Sequence, residues 1–204
     1  MPENPDLYCV STSMHHYAKG VAHAAMKDFD QAEEQKTRFY ESLKRITPDR
    51  RFFNNPALQT LGVGEKMLLG ELEYHRGNHE SAFGHLREAV KRSDSLHYSE
   101  PWPWMHPPRH ALGALLMEQG QHEEAEKIYR EDLGLTNSVV RCAQHPNNIW
   151  ALHGLVECLT IRGERGKKEE LAKFKTLLNS AIAKADVAVT SSCCCREKVR
   201  DLPG

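Results

Sequence analysis

Along most of the chain apolar residues recur three and four positions apart, and no sustained run alternates apolar with polar residues. The first spacing places apolar side chains on one face of a helix, whereas alternation would place them on one face of a strand. The pattern therefore predicts an all-α fold. Helix starts are signalled at Ser11-Thr12-Ser13, Asn54-Asn55-Pro56, His106-Pro107-Pro108 and His145-Pro146-Asn147-Asn148. Proline suits an opening turn, because its missing N–H would find no intrahelical partner there. Stops are expected near Arg76-Gly77-Asn78, Gln119-Gly120-Gln121 and Arg162-Gly163, and a last helix from Leu171 to Val189.

Within this pattern a unit repeats. Lys66-x-x-Leu69-Gly70-x-x-Glu73 closes at Gly77 and is followed by Ala82-x-x-x-Leu86; Arg109-x-x-Leu112-Gly113-x-x-Leu116 closes at Gly120 and is followed by Ala125-x-x-x-Tyr129. The step from leucine to alanine is 13 residues in both. Each unit reads as a helix, a glycine-containing turn and a second helix, with Gly70 or Gly113 allowing close approach of the small Ala82 or Ala125. Glycine inside a helix costs about 1 kcal/mol relative to alanine, so tight packing is a physical reason to keep it. Two further units are weaker. His16-x-x-Lys19-Gly20-x-x-His23…Ala32 keeps the glycine and alanine but places polar residues at apolar positions, and Leu152-x-x-Leu155-Val156-x-x-Leu159…Gly163 reaches its Ala172 four residues late, across Glu164 to Lys168.

These units resemble the tetratricopeptide-repeat family, whose pattern is W-x2-L-G-x2-Y…A-x3-F. The resemblance runs over roughly residues 14 to 185 and implies a right-handed superhelix of three to four helix-turn-helix hairpins with long inter-repeat loops. The alanines at 32, 82, 125 and 172 are spaced more widely than the family's ~34 residues, with the excess at 48–61, 95–105 and 135–148. Linkers of that size hold short extra helices or functional loops. Residues 1–13 are an expected N-terminal extension, 14–189 the repeat domain and 190–204 a cysteine-containing tail. The opening unit has no strong polar cap, as terminal repeats require, so the chain resembles the C-terminal repeat region of a longer protein of this family.

In this family, positions 2, 5, 9, 12 and 13 of each first helix line a concave, ligand-binding surface. Carried over, they give Met14, Tyr17, Val21, Ala24 and Ala25; Gly64, Met67, Glu71, Tyr74 and His75; Pro107, His110, Ala114, Met117 and Glu118; and Trp150, His153, Glu157, Thr160 and Ile161. No lysine or asparagine stands at positions 5 and 9, which disfavours the subclass that clamps a peptide carboxylate. The binding candidates are Glu71, Tyr74, His75, His110, Met117, Trp150, His153 and Glu157. Such a set could hold a protein or peptide, or chelate a divalent metal or small ligand; the simpler account has its histidines pairing with neighbouring carboxylates to hold the repeats together.

Composition narrows the choice. At 204 residues, 40% hydrophobic and 27% charged, the chain is long enough for a real core. A net charge of −1 provides no global field for nucleic acid or an anionic membrane, and no apolar run approaches the ~20 residues of a membrane helix. Six cysteines, three of them adjacent, form no spaced disulfide framework, so a reducing, cytoplasmic setting is expected. Zincin, phosphate-loop, dinucleotide and nucleophile-elbow motifs are all missing. No cofactor is expected, and a scaffold without chemistry of its own is favoured over an enzyme. Cys193, Cys194 and Cys195 remain an oddity: they could take a soft metal, or pack as small apolar groups against the last helix. Glu100-Pro101-Trp102-Pro103-Trp104 reads as an extended connector whose tryptophans seal hairpin ends, or offer a second binding edge if exposed.

Overall fold

The computed structural model describes residues 4, 6–163 and 168–196. The all-α expectation holds, and the chain divides into two compact units, Met1–Pro108 and Arg109–Gly204.

The first unit contains α1 (Cys9–Ala25), α2 (Phe29–Leu43), α3 (Ala57–His75) and α4 (His79–Asp94). They pack as the hairpins α1/α2 and α3/α4, joined through α1 against α3. Gly20 of α1 and Gly70 of α3 mark the close approaches: a methyl group on Gly20 would lie 2.7 Å from Leu68 Cδ1, and one on Gly70 2.6 Å from Leu86 Cγ. The second hairpin thus brings Leu86, not only Ala82, onto the glycine. The polar residues that weaken the first repeat form a buried seam instead of an apolar one. His16 Nδ1 lies 2.7 Å from Gln35 Oε1, and the hydroxyls of Ser13 and Ser42 are 2.7 Å apart. Paired this way, the buried groups avoid the penalty of an unmet hydrogen bond.

Helix α1 begins at Cys9, ahead of the expected Ser11-Thr12-Ser13 start. Ser13 does not cap; its hydroxyl donates to the Cys9 carbonyl four residues back, a bond that serine makes inside a helix. The turns of both hairpins share one backbone pattern. Asp28 N–H bonds to the His23 carbonyl and Asn78 N–H to the Glu73 carbonyl, each five residues back. This Schellman closure needs a left-handed residue, supplied by Gly77 at φ 87° and by Lys27 at φ 61°.

Connector 48–56 contains a minimal antiparallel pair, β1 (Arg51–Phe52) and β2 (Asn55–Pro56), in place of an extra helix. Buried Asn55 receives the His97 N–H at 2.7 Å and donates to the His97 carbonyl at 2.9 Å, which pins the following connector. Trp104 is buried over Gly64, its indole N–H 3.0 Å from Met67 Sδ and its ring edge-on to Tyr17, with centroids 5.0 Å apart. Trp102 is 42% exposed, so only one of the connector's tryptophans seals a face.

The second unit holds α5 (Pro108–Glu118), α6 (His122–Asp132), α7 (Ile149–Arg162) and α8 (Lys168–Ile182). Gln121 N–H closes on the Leu116 carbonyl around Gly120, repeating the turn of the first unit. Asn148 Oδ1 accepts from Ala151 N–H at 2.8 Å and starts α7, as its place before the apolar run predicts. Of the late fourth-unit insertion, residues 164–167 lie outside the described residues. Helix α8 stops at Ile182 rather than Val189. β-Branched Val187, Val189 and Thr190 disfavour its continuation, and Ser192 is drawn into the core of the unit.

Candidate functional site

The second unit is organised around one ring. Tyr129 rises from α6 between α5 and α7 and is fully buried. Glycine stands on both sides: a methyl group on Gly113 would lie 2.6 Å from Tyr129 Cε1, and one on Gly154 2.2 Å from its Cζ. No side chain fits at either place, so the two glycines form a window through which the phenol passes. Its hydroxyl donates to Ser192 Oγ at 2.7 Å. Burial raises the Tyr129 phenol well above its ordinary value, against a lowering from the Ser192 bond, so the group stays a neutral donor.

Ser192 belongs to a short segment that ends in a 3₁₀ turn, Cys194–Arg196. Arg196 grips Glu157 of α7 with both terminal nitrogens, at 2.9 and 3.1 Å, and its Nε lies 3.8 Å from Glu118 of α5. The fork matches a carboxylate in a plane, a geometry that lysine cannot reproduce. Cys193 is 1% exposed, while Cys194 is exposed. A hydrogen bond with Cys194 lowers the Cys193 thiol, but the bond with Cys195 and burial outweigh it and hold the thiol above its usual range. Beneath the segment, Cys158 Sγ lies 3.2 Å from Met117 Sδ, and burial, reinforced by Glu126 and Glu157, pushes the Cys158 thiol up to about 12. Neither buried thiol has thiolate character at neutral pH.

A second cluster ties the long 135–148 connector to the helices. Asp132, at the end of α6, is fully buried and accepts from His110 Nε2 at 2.9 Å, His145 Nδ1 at 2.7 Å and Asn148 Nδ2 at 2.8 Å. Its carbonyl also receives the His145 N–H at 2.6 Å. Burial works to raise the Asp132 carboxyl, but the bonds from His110 and His145 overcome it and hold it well below the usual carboxylate range. His110 therefore spends Nε2 on an internal partner, as the simpler account of the histidines anticipates.

The remaining sequence candidates fall into two local groups. On α3, Tyr74 is buried among His75, His79 and Phe83, with ring centroids 5.7, 5.0 and 6.2 Å away, and the Glu71 carboxylate is buried 3.6 Å from His75 Nε2. On α7, Trp150, His153 and Glu157 recur at helical spacing and are half-buried. Met117 is buried on α5. Sequence reasoning overlooked Asp132, Ser192, Arg196 and Gly154. Arg196 directly follows the cysteine triplet, and the thiols drew attention away from the guanidinium.

A tetratricopeptide-repeat family model matches residues 109–147, which span α5, α6 and the connector pinned by Asp132. Over this stretch, about a fifth of its length, the chain carries a tetratricopeptide-like repeat. No curated protein matches it. The solved structure of MamA protein is similar at 16% sequence identity and a TM-score of 0.44, covering 88% of this chain and 98% of that one. Arrays of tetratricopeptide repeats act in general as protein-interaction scaffolds. No helix among the described residues is long and apolar enough to cross a membrane.

Proposed function

We propose that the chain binds a protein or peptide partner, without chemistry of its own, through its first-helix faces. In the first unit these faces carry Glu71, Tyr74 and His75; in the second they carry Met117, Trp150, His153 and Glu157. The observation behind this reading is the half-buried row Trp150, His153 and Glu157 on α7, whose carboxylate already accepts an arginine from the short segment that follows α8. Tryptophan is among the residues in which binding hot spots are enriched. No disulfide joins the six cysteines, which suits the reducing cytoplasmic setting that goes with this reading.

The test is capture of partners by the purified full chain, identification by mass spectrometry, and calorimetric titration of the partner recovered. Trp150→Ala/His153→Ala alters half-buried positions and spares the Asp132 and Tyr129 clusters. We expect it to weaken binding about tenfold or more, as the loss of a hot spot does. Equal affinity of variant and wild type would remove α7 as the binding face, and failure of any partner to titrate would remove the scaffold reading.

A further inference from the structure

We propose that Ser191–Arg196 is an intramolecular ligand of the α5/α7 face, and that this face takes in trans a peptide presenting an arginine and a small hydroxyl residue. The inference rests on the scaffold reading and specifies the chemistry of its partner.

Glu118 ends α5 and Glu157 lies on α7, and both lie against Arg196. The segment reaches them outside the α-helices, with two anchor points: the arginine fork on Glu157, and the Ser192 hydroxyl that accepts the Tyr129 hydrogen bond. Neither anchor depends on the thiols' reactivity. Anchors four residues apart, one cationic and one a small acceptor, define what else could sit there. A segment without arginine would forgo the fork on Glu157, and a large residue at the Ser192 position would crowd a fully buried place beside the phenol.

The hold is exchangeable. Arg196 and Glu157 keep 19% and 31% of their side-chain surface open to water, which can take up either charge when the fork opens. A tethered segment competes at an effective concentration of about millimolar, which hides the face from weak peptides until the tether's own anchor is lost.

The experiment uses the full chain under reducing conditions, with a fluorescein-labelled peptide of the sequence from Val189 to Arg196 as the probe. Anisotropy titrations compare wild type, Arg196→Ala, and Arg196→Ala/Glu157→Gln, with far-UV circular dichroism to confirm equal helix content. We expect the peptide to bind Arg196→Ala on the order of tenfold more tightly than wild type, and this gain to vanish when Glu157→Gln is added. In parallel, alkylation located by mass spectrometry should find Cys193 slow and Cys194 fast in wild type, and both fast in Arg196→Ala. The charge exchange Glu157→Arg/Arg196→Glu should protect Cys193 again, a rescue that general loosening of the fold would not produce.

Peptide binding that is equal in wild type and Arg196→Ala, or a Cys193 that stays protected without Arg196, would overturn the proposal. If wild type and Arg196→Ala both capture the same partner with the same affinity, the scaffold reading stands and the intramolecular ligand falls. Peptide exchange as expected, with no protein partner for either, would overturn the scaffold reading alone.

Discussion

Replacing Gly154 with alanine isolates the Tyr129 window. The new methyl would sit 2.2, 2.4 and 2.6 Å from Tyr129 Cζ, Cε2 and Cε1, far inside van der Waals contact. The ring has no retreat: Gly113 faces it from α5, where the equivalent distance is 2.6 Å, and its hydroxyl is bonded to Ser192. Overpacking of this kind costs about 1–3 kcal/mol. Against it stands the intrinsic preference of a helix for alanine over glycine, worth about 1 kcal/mol. Contacts this short favour the upper part of the first range, so we expect Gly154→Ala to destabilise by about 2 kcal/mol net. In a chain of this size each kcal/mol lowers Tm by about 2–4 °C. Gly84 on α4 is the control, because a methyl there meets nothing within 4 Å and only the helix preference remains. Urea and thermal unfolding followed by far-UV circular dichroism should therefore give opposite signs, a loss at Gly154 and a gain of about 1 kcal/mol at Gly84. Stabilisation by both substitutions would refute the window.

Asp132→Asn should cost about 3–5 kcal/mol at neutral pH, because it removes the buried charge that buried His110 and partly buried His145 share. Since the folded carboxyl lies below its ordinary value, its stabilisation is fully present above about pH 4 and is lost as pH falls towards the folded value, so the variant's unfolding free energy should show a flatter acid limb than the wild type's. Asn55→Ala breaks both bonds to the His97 backbone and should cost about 2–3 kcal/mol, with limited proteolysis newly cutting the 97–103 connector. Lys27→Gly relieves a left-handed residue in the first hairpin turn and should raise stability by about 1 kcal/mol in the same urea assay.

The helices and their turns were legible because their causes are local. Gly77 and Gly120 close helices, Asn148 opens one, and the Leu-Gly…Ala step announces a hairpin. Lys27 shows the limit: its turn has the same hydrogen bonds as those at Gly77 and Gly120, but no glycine to betray it. The first repeat looked degenerate for a related reason. His16 with Gln35, and Ser13 with Ser42, satisfy one another across a buried seam, and pairs 19 and 29 residues apart leave no periodic trace. The site was harder still. Val156 fills the family's glycine position in the fourth unit, yet the residue facing Tyr129 is Gly154, because it meets a side chain of the preceding hairpin. Asp132 gathers partners from α5, the connector and the start of α7, a convergence that only the folded chain reveals.

Each unit folds the stretch that follows its last helix back onto its own first-helix faces, but the two covers differ in kind. In the first unit the cover is Trp104, lying over Gly64, bonded to Met67 and packed on Tyr17. A buried indole removes about 150–250 Å² from water, worth about 4–6 kcal/mol, so this cover behaves as core. In the second unit the segment that ends in Arg196 rests on an ion pair that water still reaches, 19% and 31% exposed, and on the small buried side chains of Ser192 and Cys193. Its other anchor is one hydroxyl-to-hydroxyl bond, worth about 1 kcal/mol. Lifting Trp104 would strip apolar residues of their packing; lifting Arg196 would free two carboxylates that water can solvate. The difference in cost is the reason the proposed exchange is assigned to the second unit, where the glycine window also sets the Tyr129 hydroxyl as a donor for whatever would replace Ser192.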